Sequence, residues 1–374
     1  MYTVRKTGII SRAAAFGCSV LLALCSLLVS ACDSSKPVRI GLAASFSGKD
    51  YMLGVDGRNA IELFVHQVNS GGGVHGRPIE LHTRDLTSSL DTVLPSDTDL
   101  IEAGVEAIIG HFTSSEVEAA LSLVNKYQIP LLSPAATSES LSGKDDYFFR
   151  TVMSSRQDGT VLADHMKQSG YSDLLIISTA LNPAYVNTYT DGLYSAINVV
   201  ADLRYTAISE INSALLATVP PFDCVLIIGS SIDTGTIAQT LKAAGLEKQL
   251  YASGWAGNDD LIEYGGRSVE NLLFVHQINP ELPDIVEFSK IFKDVYGSDP
   301  GYGAIEAWDT MLYLHTVLLA RKPNEKLYDT IKRVRDFQGI SGHIYIDTYG
   351  DASRPLYLKA VENGRIAIRG IVGD

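Results

Sequence analysis

Short, continuous apolar strands alternating with amphipathic helices constrain this chain more than any other feature. Val38-Arg39-Ile40-Gly41-Leu42 reads as a strand, and the helix that follows sets Ile61, Phe64, Val65 and Val68 on one face. Ile79, Leu81 and Thr83 alternate as a second strand, and Ala107-Ile108-Ile109 and Ile129-Pro130-Leu131-Leu132 follow with a helix between them. The rhythm resumes at Leu174-Leu175-Ile176-Ile177, Val225-Leu226-Ile227-Ile228 and Leu272-Leu273-Phe274-Val275, with helices predicted over 186–199, 234–244 and 285–295. Strands apolar on both faces belong in parallel sheets covered by helices on each side. Two such stretches in 374 residues predict an α/β chain with two doubly wound parallel-sheet lobes. No Pro- or Ser-rich linker separates them, which predicts lobes joined by several crossing strands. The end departs from the rhythm. Helices are predicted over 303–321 and 324–336, and Asn363-Gly364 between two alternating runs predicts a hairpin.

The first 31 residues have a different character. Arg5, Lys6 and Arg12 precede an uncharged run from Ala13 to Val29, which ends at Val29-Ser30-Ala31-Cys32. This is the pattern of a secretory signal. The small residues directly before Cys32 resemble a bacterial lipobox, which implies that Cys32 is lipid-modified, that residues 32–37 form the tether, and that Asp33 favours retention at the cytoplasmic membrane. Cys18 and Cys25 would leave with the signal, so Cys224 remains alone in an apolar strand and reads as a buried residue with no disulfide. With 30 Lys+Arg against 43 Asp+Glu, the chain carries −13, which disfavours phosphate backbones and excludes sequence-independent nucleic-acid binding. No apolar run beyond the first could meet a membrane.

Catalytic patterns are missing. Gly71-Gly72-Gly73 follows a helix instead of opening one after a strand, so it reads as a helix stop. The eight histidines show no zinc-helix spacing, and Gly170-Tyr171-Ser172-Asp173 lacks the second glycine of a nucleophile elbow. No enzyme activity, cofactor or metal is expected. The informative segments are loops after strand ends, where open α/β sheets bind ligands. One is Gly110-His111-Phe112-Thr113-Ser114-Ser115-Glu116, in which Ser115 and Glu118 have capping-box spacing. Such a helix start either uses its hydroxyls as caps or receives an anionic group. The other is Ser133-Pro134-Ala135-Ala136-Thr137.

These two loops in order resemble the branched-chain amino-acid-binding family of type I periplasmic receptors of ABC importers. Ser47-Gly48, Gly72-Gly73-Val74-His75-Gly76-Arg77-Pro78, Phe149-Arg150-Thr151, and Gly342-His343-Ile344-Tyr345-Ile346-Asp347 with Gly350-Asp351 agree in the same order. The resemblance implies two lobes joined by a three-strand hinge, lobe I over 38–155 plus 278–350 and lobe II over 156–277 plus 351–374. It places a ligand carboxylate on Ser114 and Thr137, the carbonyl of Ala135 near a ligand ammonium, and Tyr185 as a closing wall; Ser115, a second hydroxyl at the same helix start, reads as a further anchor for the anion. Trp255 is a second wall and Tyr51 a further lining residue. Two positions depart from the family. Its ammonium-binding Glu falls on Gly254 and a closing Tyr on Ser230, while Leu53 stands where some relatives carry an aromatic. The implied protein is a lipid-anchored extracytoplasmic monomer that hands a small carboxylate-bearing ligand, an amino acid or related organic acid, to ABC permease subunits. A sensor reporting to a membrane signalling partner is the alternative use of the same fold.

Overall fold

In the computed structural model, which describes residues 36–48, 51–194 and 196–372, fifteen strands form three sheets. The signal, Cys32 and Asp33 lie outside the described residues. The first sheet holds β1 (Val38–Ala44), β2 (Ile79–Asp85), β3 (Ala107–Gly110), β4 (Leu131–Ser133) and β5 (Phe148–Arg150) in the order β2-β1-β3-β4-β5, all parallel. Side-chain alternation supplies both faces. Ile40, Leu42 and Ala44 enter one core with the helices Met52–Ser70, Pro283–Tyr296 and Tyr302–Ala320, while Ala43 and Ile108 enter the other with Val93–Glu102 and Ser114–Tyr127.

The second sheet repeats this pattern with β6 (Asp173–Thr179), β7 (Asn198–Tyr205), β8 (Cys224–Ile228), β9 (Gln249–Ala252) and β10 (Leu273–His276), in the order β7-β6-β8-β9-β10. Beyond β10 it adds the antiparallel hairpin β14 (Leu356–Glu362) and β15 (Arg365–Val372). The turn has φ near +53° at Asn363 and +69° at Gly364, which Asn-Gly tolerates. Cys224 lies fully inside this lobe, and burial raises its thiol pKa to about 12, so it packs as a small apolar residue.

Two expectations differ. The helix predicted over 186–199 ends at Tyr194, and Asn198–Tyr205 is an edge strand, pairing with β6 across a register shift at Leu174/Leu175. Its partly buried side chains show the weak alternation of an edge. The last helix runs only over Leu327–Arg333. Then β11 (Asp336–Gly339) and β12 (Gly342–Ile346) pair antiparallel, with β13 (Ala352–Ser353) beside them. Buried Asp309 holds that hairpin turn by accepting from Ile340 N at 2.7 Å and from Ser341 Oγ.

The chain passes between the two large sheets three times, and the crossing segments bond to one another. Met153 N donates to Gln277 Oε1 at 2.8 Å, and Arg354 Nη1 donates to Thr151 O at 3.1 Å. Buried Arg150 reaches Asp351 Oδ1 at 2.8 Å and the carbonyl of Ser138 at 2.9 Å. Among the described residues no helix is long and apolar enough to cross a membrane.

The first core centres on Trp308, edge-on to Phe64 at 5.0 Å and 4.7 Å from Phe288 between ring centroids. Trp308→Ala should destabilise by about 3–5 kcal/mol, the usual range for truncating a buried large aromatic. Urea unfolding followed by far-UV circular dichroism checks this. A loss below about 1 kcal/mol would remove Trp308 from the centre of the core.

Candidate functional site

The carboxyl ends of both parallel sheets point at one cleft. Phe112 and Thr113 follow β3, Ala135 and Thr137 follow β4, and Asn182 and Tyr185 follow β6. Gly254 and Trp255 follow β9, and His276 and Gln277 end β10. Together with Leu53, Asp158, Tyr302 and Glu306 they line a cavity with about 510 Å3 of free space, part of it continuous with solvent.

The wall on the first-sheet side is built from backbone and hydroxyls. Gly110 opens the turn after β3 with φ near +128°, and a Cβ there would sit 2.0 Å from the carbonyl oxygen of Ala43. Thr113 then caps the helix Ser114–Tyr127. Its Oγ1 accepts from Glu116 N, and the Glu116 carboxylate accepts from Thr113 N at 3.1 Å. The capping box is therefore Thr113 with Glu116. The spacing of Ser115 and Glu118 gave the wrong register, and Glu118 instead accepts from Ser140 Oγ.

Ser114 Oγ accepts from the amides of Thr137 and Ser138, both at 3.1 Å, so it holds the second loop in place and is absent from the cavity wall. Ser115 turns to the other lobe. Its amide and hydroxyl donate to Asn182 Oδ1 at 3.2 and 3.1 Å. Ser138 Oγ and Thr188 Oγ1 make a second contact between lobes at 3.0 Å. Thr137 does line the cavity, and its Oγ1 is buried without a hydrogen-bond partner. Tyr51 does not line it. This residue is 42% exposed at the head of the helix Met52–Ser70, and Leu53 faces the cavity instead.

On the second-sheet side Tyr185 and Trp255 stand edge-to-face at 5.7 Å. Tyr302 Oη donates to the carbonyl of Trp255 at 3.1 Å, joining the two lobes at the cavity rim. Ser230 lies away from the cavity and caps the helix Ser231–Ala243 by accepting from Asp233 N at 3.3 Å. Gly254 does line it, and a Cβ there would fall 2.8 Å from the carbonyl oxygen of Val275 and 3.0 Å from the His276 ring. Any side chain at Gly254 would thus require the Val275 backbone or the His276 ring to shift.

Sequence reasoning missed the cavity's two carboxyl groups. Asp158 is 6% exposed and Glu306 is 4% exposed. Burial raises the pKa of Asp158 well above the usual carboxylate range and that of Glu306 to about 8, with Arg354 and Lys359 pulling Glu306 back down. His276 Nε2 lies 4.0 Å from Glu306 Oε1, and burial holds this imidazole neutral, helped by the charges of Lys359 and Arg354. A usable signal was present: Glu306 and Asp309 are acids in the largely apolar helix Tyr302–Ala320. Among the described residues no three His, Cys, Asp or Glu side chains converge to hold a metal ion.

The periplasmic binding protein family matches residues 37–365. The chain belongs to that family. A Leu/Ile/Val-binding protein homologue of Brucella abortus is 22% identical over 347 residues, covering 90% of this chain and 93% of its own. The Leu/Ile/Val-binding protein of Escherichia coli is 24% identical over 261 residues, 68% of this chain and 71% of its own. Among solved structures, a branched-chain amino-acid transporter substrate-binding protein of Streptococcus pneumoniae, in complex with isoleucine, superposes with a TM-score of 0.82 at 19% identity. It covers 90% of this chain and 99% of that one. A solute-binding protein from R. palustris in complex with benzoate gives a TM-score of 0.76 at 21% identity, covering 90% and 98%. These relatives are solute-binding proteins and not enzymes, and the family is extracytoplasmic.

Gly254→Ala should cost about 1–3 kcal/mol, because the added methyl must displace backbone or the buried His276 ring. Differential scanning calorimetry would show a melting temperature lower by a few degrees. An unchanged value would mean that the backbone at Gly254 yields freely.

Proposed function

We propose that this chain is a membrane-tethered solute-binding lipoprotein that captures a small carboxylate-bearing ligand between its lobes and delivers it to the permease of an ABC importer. One observation carries the reading. Thr137 Oγ1 is buried without a partner, on a cavity wall that also offers Ala135 from the same loop and Thr113, the cap of the helix Ser114–Tyr127. A carboxylate is the group such a corner suits: it accepts from hydroxyls and is favoured at a helix N-terminus. Relatives solved with isoleucine and with benzoate both carry ligands that have a carboxylate.

The lobes we assign are residues 38–155 with 278–350, and 156–277 with 351–374. The three crossing segments serve as the hinge. A ligand touching Thr137 on one side and Tyr185 with Trp255 on the other stabilises the closed arrangement by its contacts to both. Ser115–Asn182 and Ser138–Thr188 then act as latches between the lobes. The N-terminal reading completes the account, with Cys32 as the lipid attachment and residues 32–37 as the tether.

A thermal-shift panel of amino acids, aliphatic acids and aromatic acids tests capture. A ligand at about one hundred times its dissociation constant adds about 2.7 kcal/mol, a shift of a few degrees. Thr137→Val keeps the shape and removes the hydroxyl, so it should weaken binding of the stabilising ligand about tenfold or more. No shift across the panel would contradict solute capture, and full affinity in Thr137→Val would remove this residue from the site.

A further inference from the structure

A groove runs along the base of the first sheet, at the end opposite the cleft. It collects residues from the amino ends of all five strands: Val38 in β1, Arg77 before β2, Glu106 before β3, Pro130 before β4 and Tyr147 before β5. Two adjoining hollows that share Glu106, Arg321 and Lys326 make up its length.

This groove is basic on a chain that is acidic overall. Arg77, Arg321, Lys322 and Lys326 line it against Glu106 and Glu325, on a protein of formal charge −13. Both acids are already engaged. Glu106 accepts from Arg77 and Arg321, and Glu325 accepts from Arg333 at 2.8 Å. Lys322 and Lys326 are exposed, and among the described residues their ammonium groups make no ion pair. Beside the groove, Lys332 pairs with Asp145 and Arg39 with Glu80. Three tyrosines line the other half. Tyr147 and Tyr328 stack with centroids 4.4 Å apart, and Tyr127 is 47% exposed. Amphipathic rings next to cations suit the level of lipid headgroups.

The chain's own N-terminal segment leaves from the same place. Arg77 donates from Nε to the carbonyl of Lys36 at 2.8 Å and from Nη2 to that of Pro37 at 3.1 Å. Cys32 lies four residues before Lys36, so even a fully extended chain keeps an acyl group on Cys32 attached within about 14 Å of Lys36.

We propose that this basic, tyrosine-lined base is a docking surface for anionic phospholipid headgroups, on which the tethered protein rests with its cleft turned toward the solution. The proposal rests on the Cys32 anchor of the preceding reading and adds a second membrane contact to it. Tethering raises the local concentration, so contacts too weak to hold a free protein suffice. Each Lys or Arg near an anionic surface contributes about fivefold in affinity. The cleft lies at the carboxyl ends of the same strands, so a docked chain takes up solute without leaving the bilayer.

The test couples the mature chain through Cys32 to a maleimide lipid, Cys224 being buried. The vesicles contain phosphatidylcholine alone or mixed with phosphatidylglycerol. Brief acetylation by a water-soluble reagent, read by mass spectrometry, reports which lysines are covered. Lys322 and Lys326 should react about threefold more slowly, or slower still, on the phosphatidylglycerol vesicles, while Lys242 and Lys248 on the second sheet's side react equally on both. Salt at about 0.5 M should abolish the difference. In Lys322→Glu, an exposed change remote from the cavity, the protection of Lys326 should shrink to within about twofold. Equal acetylation on both vesicles, or slowing that persists in salt or extends to Lys242 and Lys248, would overturn the docking surface. The lipid is attached chemically and no solute is present, so these results leave solute capture untouched. The mass of the native N-terminus decides acylation separately, and an unacylated Cys32 would overturn the tether and remove the groove from the membrane.

Discussion

Parallel strand pairing is the constraint on which the rest of this structure depends. Each strand that pairs in parallel must be re-entered from the same end, so most crossovers return through a helix and the carboxyl-end loops collect on one sheet edge. Two sheets with equivalent strand orders, joined by three crossings, turn those edges toward each other. The cavity follows from this topology. Its walls are the residues just after β3, β4, β6 and β9 and at the end of β10, together with Leu53, Asp158, Tyr302 and Glu306 from the helices beside them.

The contents of the cavity obey a second constraint, the cost of withdrawing a carboxylate from water. Asp158 and Glu306 are nearly inaccessible, and their raised pKa values express that cost. Arg354 and Lys359 offset part of that cost at Glu306.

Much of this was legible in the sequence. The apolar strand runs and the helix faces of Phe64 and Ile285 prescribe two covered parallel sheets, and the loops at Thr113 and Thr137 lie where that fold puts ligands. Losses occurred where local pattern is weak or long-range contact decides. Asn198–Tyr205 alternates faintly as an edge strand, and its apolar residues extend the preceding helix pattern. Ser114 and Ser115 resemble ligand hydroxyls in sequence, yet one holds a neighbouring loop and the other a second lobe. Asp158 and Glu306 are 148 positions apart, and no short motif could bring them together. The two acids Glu306 and Asp309 in a largely apolar helix were the available sign.

The most direct measurement is a crystal structure of the mature chain with the small acid that stabilises it most. The ligand carboxylate should lie about 2.5–3.0 Å from Thr137 Oγ1, with Tyr185 and Trp255 against the rest of the molecule. A ligand outside the cleft, or one whose carboxylate faces away from Thr137, would contradict solute capture between the lobes.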